Sequence, residues 1–230
     1  ARWLPFVASH LTISVPEVVA VGEPAEGYPE RWSVVRWIDG EPADRGARAQ
    51  DLADLISQLR AMPQPPGALS DPTLTHYRGA PLADFDDDFT ETVAPCRELS
   101  DCGIDLDAAT RVWKDIRTAT DGVAVERRWF HGDLLGENLL SQGGRPTALL
   151  DFGGLAIGDP SVDLVAAWDV LDRRGRVELR AALGGDEVSW LAGAGWALFI
   201  ATMTLPYYWR TMPERCRTRQ RLAAAVIAEL

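Results

Sequence analysis

The sequence predicts an α+β fold, in which a small β-rich region precedes a larger and mostly helical region. Three observations predict it. Residues 32–37 are rich in β-branched and aromatic side chains and are followed by the breaker Asp39-Gly40. From Leu52 onward, apolar residues recur at helical spacing. Near the middle of the chain, two short strand signals flank a glycine-rich turn.

The first elements belong to the β-rich region. Residues 12–21 predict a loop that leads into a strand, and residues 22–31, with two prolines and two glycines, predict a turn. Residues 32–37 then predict the inner strand of a small antiparallel sheet. Because Asp39-Gly40 breaks this strand just before the helical pattern begins, it marks a candidate domain hinge.

Helices dominate the next part of the chain. Leu52, Leu55, Ile56 and Leu59 follow the i, i+3, i+4, i+7 pattern of an amphipathic helix, which Met62-Pro63 ends. Five prolines within residues 63–81 predict an irregular loop. Further helices are predicted over residues 84–99 and 107–118.

The centre of the chain returns to strand signals. Residues 123–130 predict a strand that leads into His131. Residues 138–141 and 147–152 predict the two strands of a hairpin, with the turn at residues 142–146. Such a hairpin would place Asn138, at the start of one strand, near Asp151, at the end of its partner.

The C-terminal part is predicted to be helical. Asp159 is a candidate N-cap, with Pro160 at the first helical position, and breaks are predicted at Gly184-Gly185 and at Pro206. The stretch 188–209 has no charged residue and is long enough to span a bilayer. It also contains several glycines, threonines and tyrosines, so we predict a helix buried in a soluble core rather than a membrane span.

Composition restricts the class of protein. The chain has 230 residues, 47% of them hydrophobic, and a formal net charge of −11. An acidic chain argues against nucleic acid as a partner, because binding to phosphates needs clustered Lys and Arg. The charge is compatible with a cationic substrate, although acidity alone commonly serves solubility. Three scattered cysteines and three histidines match neither a disulfide framework nor a zinc site, and predict a cytoplasmic location.

One group of polar residues suggests a reaction. Asp133 precedes Asn138 by five residues, and Asp151 follows at the end of an apolar run. Phosphoryl transfer from a nucleotide uses this set of side chains, since one carboxylate positions a hydroxyl while an amide and a second carboxylate hold a metal on the phosphates. Mg²⁺ prefers such hard oxygen donors.

The surrounding motifs carry a resemblance to a known family. HGDLLGENLL at 131–140, LLDFGG at 149–154 and GDPSVDL at 158–164 resemble the aminoglycoside phosphotransferase (APH) family, which has a protein-kinase-like fold. WSVVRWIDGEPA at 32–43 is similar to the hinge between the two lobes of that family. The resemblance implies a partial N-lobe over residues 1–36, a hinge at 37–40 and a helical C-lobe over 41–230.

The resemblance also implies roles for the motif residues. Asp133 matches the catalytic aspartate, and Asn138 and Asp151 match the ligands of Mg²⁺. His131 would shape the catalytic loop rather than act as a base. Asp163 would brace the backbone of that loop, and as an acid in the first turn of the following helix it would also complement the helix dipole.

The hinge implies contacts with ATP or GTP through the main chain. The carbonyl of Arg36 and the amide of Ile38 would face the edge of the purine, and Val35 would line the pocket. The phosphate-covering loop and the lysine of the family's N-lobe have no match, since Lys114, in a predicted C-lobe helix, is the only lysine. We therefore expect a truncated N-lobe in this sequence.

The resemblance favours transfer of the γ-phosphate to a hydroxyl of an aminoglycoside or related antibiotic. Choline, homoserine, a sugar or a macrolide is an alternative acceptor, and a pseudokinase that binds a ligand without catalysis is a second alternative. The acidic run 84–88 fits either a site for a cationic substrate or a solvated helix face. Tyr207, Tyr208 and Trp209 fit either a wall of the substrate cleft or core packing.

Overall fold

The structure is a computed structural model that describes residues 2–43 and 47–230. Within these ranges the chain forms seven strands and eight α-helices, connected by several 3₁₀ turns. The strands are β1 (Val18–Gly22), β2 (Trp32–Val35), β3 (Glu41–Pro42), β4 (Arg128–Phe130), β5 (Leu139–Gln142), β6 (Arg145–Leu149) and β7 (Ala156–Gly158). The helices are α1 (Leu4–Ala8), α2 (Ala49–Ala61), α3 (Asp86–Arg97), α4 (Leu106–Thr120), α5 (Val165–Val170), α6 (Arg173–Ala182), α7 (Glu187–Tyr208) and α8 (Pro213–Ile227).

β1 and β2 form a two-stranded antiparallel sheet at the N-terminal side. Val18 lies opposite Val35, and Gly22 lies opposite Trp32. The prediction of an inner strand over residues 32–37 is wrong for the described part of the chain, because β2 pairs with β1 alone there and all its residues are exposed. Strand propensity located the strand correctly, but it carries no information on how many neighbours a strand has.

The central hairpin consists of β5 and β6, and β3 pairs with the outer side of β5. Leu139 lies opposite Leu149 in this hairpin. The returning strand ends at Leu149, three residues earlier than the sequence pattern predicts, because Asp151 has a left-handed backbone with a φ of 55°. A residue with this φ cannot continue a strand.

α7 is the central helix of the larger region and packs against α3, α4, α5 and α8. It is long and apolar enough to cross a membrane, but 72% of its apolar window is buried within the protein. Trp196 and its neighbours Ala197 and Leu198 are fully buried. The prediction of a buried core helix is therefore confirmed.

The predicted break at Pro206 is wrong, because α7 continues through this residue to Tyr208. Proline lacks the N–H that would bond to the carbonyl of Thr202, one turn earlier. That carbonyl accepts a hydrogen bond from the thiol of Cys96 on α3 at 3.2 Å. The packing of α3 on α7 thus satisfies the acceptor that the proline leaves free.

Candidate active site

The predicted catalytic loop, residues 131–138, begins directly after β4, which pairs with β7. The main-chain N–H groups of His131 and Gly132 donate to the two carboxylate oxygens of Asp163, at 2.8 and 2.9 Å. Asp163 lies in the 3₁₀ turn Pro160–Leu164 and is 1% exposed. Burial raises the pKa of its carboxyl group, and the two N–H groups and His131 oppose that effect. One buried side chain thus holds the first two residues of the loop.

His131 is completely buried, and its two ring nitrogens have different roles. Nδ1 accepts the N–H of Asp133 at 3.2 Å, so the proton lies on Nε2, which donates to the carbonyl of Leu150 at 2.8 Å. The edge of the Phe152 ring packs against the imidazole. Burial lowers the pKa of His131 and keeps it neutral. The imidazole therefore connects the loop that holds Asp133 with the segment just before Asp151.

Gly132 and Gly154 bring these two segments into direct contact. Gly132 has a φ of +84°, and a Cβ atom at this position would lie 2.5 Å from the carbonyl oxygen of Gly154. Any side chain would push the two backbones apart, so this approach requires glycine.

Asn138 joins the end of the catalytic loop to its start. Its Nδ2 donates to both the main-chain oxygen and the Oδ2 of Asp133, each at 2.9 Å. The main-chain carbonyl of Asn138 accepts the N–H of Leu150 at 2.7 Å, which connects the loop to the end of the returning strand of the hairpin. Among the described residues, no donor bonds to the amide Oδ1 of Asn138, so that oxygen remains available to a ligand.

The middle of the loop is anchored to the helices beneath it. The N–H of Gly136 donates to Oδ2 of Asp169 on α5 at 2.7 Å. Glu137 forms ion pairs with Arg215 and with Arg219 of α8, the second at 2.9 Å. Arg219 is buried and also pairs with Asp169 at 3.5 Å, so one buried guanidinium connects the loop residue Glu137 with the helix α5.

Asp151 lies on the wall of a cleft. A cavity of about 790 Å³ lies between the β1–β2 sheet and the segment 151–155, and Val21, Ser33, Val35 and Asp151 are among its lining residues. This volume falls in the range of sites for small ligands. The left-handed backbone of Asp151 is uncommon for a residue other than glycine, and such conformations concentrate at functional sites.

Of the three residues predicted to contact the nucleotide at the hinge, only Val35 lines the cleft. Val35 lines the same cleft as Asp151, whereas neither Arg36 nor Ile38 is among the residues around it. The N–H of Arg36 donates to the carbonyl of Glu17 at 2.8 Å, and its guanidinium pairs with the Glu17 carboxylate at 2.7 Å.

The contact between Arg78 and Asp133 is not predicted from the sequence. Arg78 lies in the 3₁₀ turn Tyr77–Gly79, within the proline-rich stretch for which the sequence predicts an irregular loop. Its Nη1 donates to Oδ1 of Asp133 at 2.5 Å and to the carbonyl of Gly132 at 2.6 Å. Periodicity cannot single out one arginine in an irregular loop. The sequence offers only a weak indication, which is a positive charge between small and aromatic residues in an acidic chain.

The structure also places the two groups whose roles the sequence left open. Asp86, in the acidic run, accepts hydrogen bonds from Trp113 at 2.8 Å and from Arg117 at 2.9 Å, so this carboxylate is already engaged. Tyr207 is 77% exposed, whereas Tyr208 and Trp209 pack against the core.

Comparison with known proteins identifies the family. The model of the APH phosphotransferase enzyme family matches residues 1–197. This chain belongs to that family. The match includes the whole catalytic loop and the segment around Asp151, and it makes the protein a kinase-type enzyme whose acceptor is a hydroxyl group. A comparison with curated protein sequences finds no significant match.

Solved structures agree with the family in fold. The GDP and kanamycin complex of APH(2″)-IIIa is 20% identical, with a TM-score of 0.66, over 98% of this chain and 78% of that chain. Macrolide 2′-phosphotransferase MphH from Brachybacterium faecium is 20% identical, with a TM-score of 0.61, over 98% and 77% of the two chains. A type I macrolide 2′-phosphotransferase gives 18% identity and a TM-score of 0.62, over 100% and 76%. The predicted protein-kinase-like α+β fold is confirmed.

Proposed function

We propose that the protein transfers the γ-phosphate of ATP or GTP to a hydroxyl group of a small antibiotic, with Asp133 as the catalytic residue. The observation that carries this proposal is the arrangement of Asp133. Its carboxylate is held by Asn138 at the far end of the same loop, and that loop is joined through His131 to the segment that ends at Asp151. The arrangement supports the set of groups that phosphoryl transfer requires.

In the proposed reaction, Asp133 accepts a hydrogen bond from the acceptor's hydroxyl and directs its oxygen toward the γ-phosphorus. A bond forms between this oxygen and phosphorus while the bond from phosphorus to the bridging oxygen of the nucleotide breaks. The hydroxyl proton passes to Asp133, and the nucleoside diphosphate leaves with the electron pair of the broken bond. Because the transition state is loose, positioning contributes more than proton removal.

The donor set suits Mg²⁺. The NH₂ group of the Asn138 side chain is bonded to Asp133, so the amide oxygen Oδ1 is the atom that remains available to a metal. Asp151 offers a carboxylate on the wall of the cleft, where its Oδ1 accepts the N–H of Gly153 at 3.3 Å and no described residue donates to its Oδ2. Within residues 2–43 and 47–230, no group of three or more His, Cys, Asp or Glu side chains could hold a metal. Two protein oxygens suit a cation whose remaining ligands are phosphate oxygens and water. Mg²⁺ bound there would neutralise charge on the phosphates.

Val35 would contact the nucleotide from the side of the cleft formed by the β1–β2 sheet. Its position among the residues that line the cleft supports this role. The roles proposed for the Arg36 carbonyl and the Ile38 amide at the purine edge rest on the family resemblance alone. His131 and Asp163 would support the site structurally, since both are buried and both bond to the main chain of the catalytic loop.

The proposed acceptor is an antibiotic that carries a hydroxyl group. Similar structures were solved with kanamycin, gentamicin and streptomycin, and others are macrolide phosphotransferases. Each of those ligands belongs to a protein that is at most 20% identical to this chain, so the antibiotic class is proposed rather than the individual compound.

A substrate panel tests this function. Transfer of radiolabelled γ-phosphate from ATP and from GTP would be measured with kanamycin, gentamicin, streptomycin and erythromycin, and with choline, homoserine and glucose as the alternative acceptors. We expect labelled product with at least one antibiotic, and its loss in Asp133→Ala. Asp115→Asn, which changes an exposed carboxylate on α4, is the matched control. Turnover near the wild-type rate in Asp133→Ala would exclude the proposed catalytic residue, and product with only a non-antibiotic acceptor would replace the proposed substrate class.

A further inference from the structure

Arg78 approaches the catalytic loop from outside the sequence motifs. Its Nη1 lies between two acceptors, Oδ1 of Asp133 at 2.5 Å and the carbonyl oxygen of Gly132 at 2.6 Å. Only 13% of the arginine side chain is exposed. A charge-assisted hydrogen bond of this length in a mostly buried location is strong, since water competes poorly for either partner.

The turn that carries Arg78 is itself fixed to the protein. The Nε of Arg78 donates to the hydroxyl group of Tyr77 at 3.0 Å, and its N–H donates to Nδ1 of His76 at 3.3 Å. The carbonyl of Gly79 accepts the N–H of Asp159 at 2.9 Å. Gly79 also lies so close to Phe130 that a Cβ atom would be 2.5 Å from the ring. The guanidinium is therefore presented from a defined position rather than from a freely moving loop.

Two donors from different parts of the chain thus each bond to one oxygen of the Asp133 carboxylate. Asn138 holds Oδ2 at 2.9 Å, and Arg78 holds Oδ1 at 2.5 Å. A carboxylate bonded at one oxygen can still rotate about its side-chain torsions, whereas bonds to both of its oxygens restrict that rotation. Each oxygen keeps a second lone pair with which it can accept a hydroxyl group.

We propose that Arg78 is a positioning residue for phosphoryl transfer, which together with Asn138 holds the carboxylate of Asp133 in the orientation that receives the acceptor's hydroxyl. This inference rests on the proposed function of Asp133 and adds to it a residue from the proline-rich stretch. The position of the attacking oxygen depends on that carboxylate, and a misplacement of about 1 Å costs roughly 100-fold in rate.

Arg78→Met and Arg78→Lys test the proposal, with Arg127→Met as the matched control. Arg127 also donates to a main-chain carbonyl near the loop, that of Ile157 at 2.9 Å, but it does not bond to Asp133. We expect Arg78→Met to lower kcat by about 100-fold while the dissociation constant of ADP changes less than about twofold. Arg78→Lys should recover part of the loss, because an ammonium group donates to Asp133 without the fixed planar geometry of a guanidinium. Arg127→Met should turn over like the wild type.

Crystal structures of the wild type and of Arg78→Lys and Arg78→Met provide a readout that does not require an acceptor. We expect the Asp133 carboxylate to leave its wild-type orientation in Arg78→Met and to keep it in Arg78→Lys. An unchanged Asp133 in Arg78→Met, or an equal loss of kcat in the Lys and Met variants, would overturn the positioning role. If Asp133→Ala is inactive while Arg78→Met has normal kcat, this inference fails and the proposed function stands. If Asp133→Ala is active, the proposed function fails.

Discussion

Asn138 binds Asp133 twice, through the main-chain oxygen and through Oδ2, and both distances are 2.9 Å. The amide group therefore has a defined orientation, with NH₂ toward the aspartate and Oδ1 away from it. The same side chain closes the loop and presents the oxygen that we propose as a metal ligand.

The first prediction separates these two roles of Asn138. Asn138→Ala removes both, and we expect kcat to fall by about 1000-fold, as for the loss of one preorganised donor together with a ligand. Asn138→Asp keeps an oxygen for the metal but replaces the donor by a second carboxylate facing Asp133, and repulsion should displace Asp133. We expect this variant to lose turnover while it still binds Mg²⁺·ADP. Titration calorimetry and steady-state kinetics measure the two effects.

Ser141→Ala is the control for Asn138. Ser141 lies in the same hairpin, and its hydroxyl group donates a long hydrogen bond of 3.4 Å to the carbonyl of Glu41. It should behave as the wild type. Equal kcat in Asn138→Ala and the wild type would contradict the role of Asn138 in the site.

The part of the site that sequence predicted and the part that it missed differ in a physical way. Asp133, Asn138 and Asp151 lie on or beside one hairpin, so short-range strand and turn signals suffice to bring them together. Arg78 reaches Asp133 across 55 residues of sequence, from a turn whose position is set by packing on Phe130. Local patterns carry no information on such a contact.

The same distinction applies to the fold. Helical periodicity located α2 and α4 because their buried residues repeat along one face. The break predicted at Pro206 was wrong because the compensating donor, Cys96, belongs to another helix. The length of β6 was overestimated because the left-handed φ of Asp151 is not apparent from its residue type.

The second prediction concerns Asp163, which accepts the N–H groups of both His131 and Gly132. Asp163→Asn replaces one acceptor oxygen by an NH₂ group that faces a buried N–H. We expect a loss of about 3 kcal/mol in the free energy of unfolding, because a buried donor loses a charge-assisted partner. Urea unfolding measures it. Asp105→Asn, which changes an exposed side chain that caps α4 by accepting the N–H of Ala108 at 2.9 Å, should cost clearly less. Similar losses in the two variants would refute the proposed support of the loop by Asp163.

The third prediction uses the buried imidazole of His131. Burial lowers its pKa below the ordinary value of 6.5, so in acid the unfolded chain binds a proton that the folded chain does not. The stability due to neutral His131 is therefore fully present above pH 6.5 and is lost as the pH falls below it toward the lower folded pKa. His76, whose pKa burial also lowers, contributes in the same direction.

We expect His131→Gln to be less stable than the wild type at pH 7.5, with a smaller further loss on acidification to pH 5.5. Guanidinium unfolding at several pH values measures the slope. An unchanged slope in His131→Gln would mean that the histidine is not held neutral by burial.

The fourth prediction concerns the contact between Gly132 and Gly154. Gly132→Ala introduces a Cβ atom 2.5 Å from the Gly154 carbonyl oxygen, in addition to the cost of a positive φ. Gly122→Ala isolates that cost, because Gly122 has a φ of +65° and a Cβ atom there would have no other atom within 4 Å. We expect about 1 to 2 kcal/mol for Gly122→Ala. Gly132→Ala should cost more, and it should also lower kcat because it separates the loop of Asp133 from the segment that follows Asp151. Thermal unfolding and steady-state kinetics distinguish the two variants, and equal stability together with normal turnover in both would show that the close approach of the two backbones is not required.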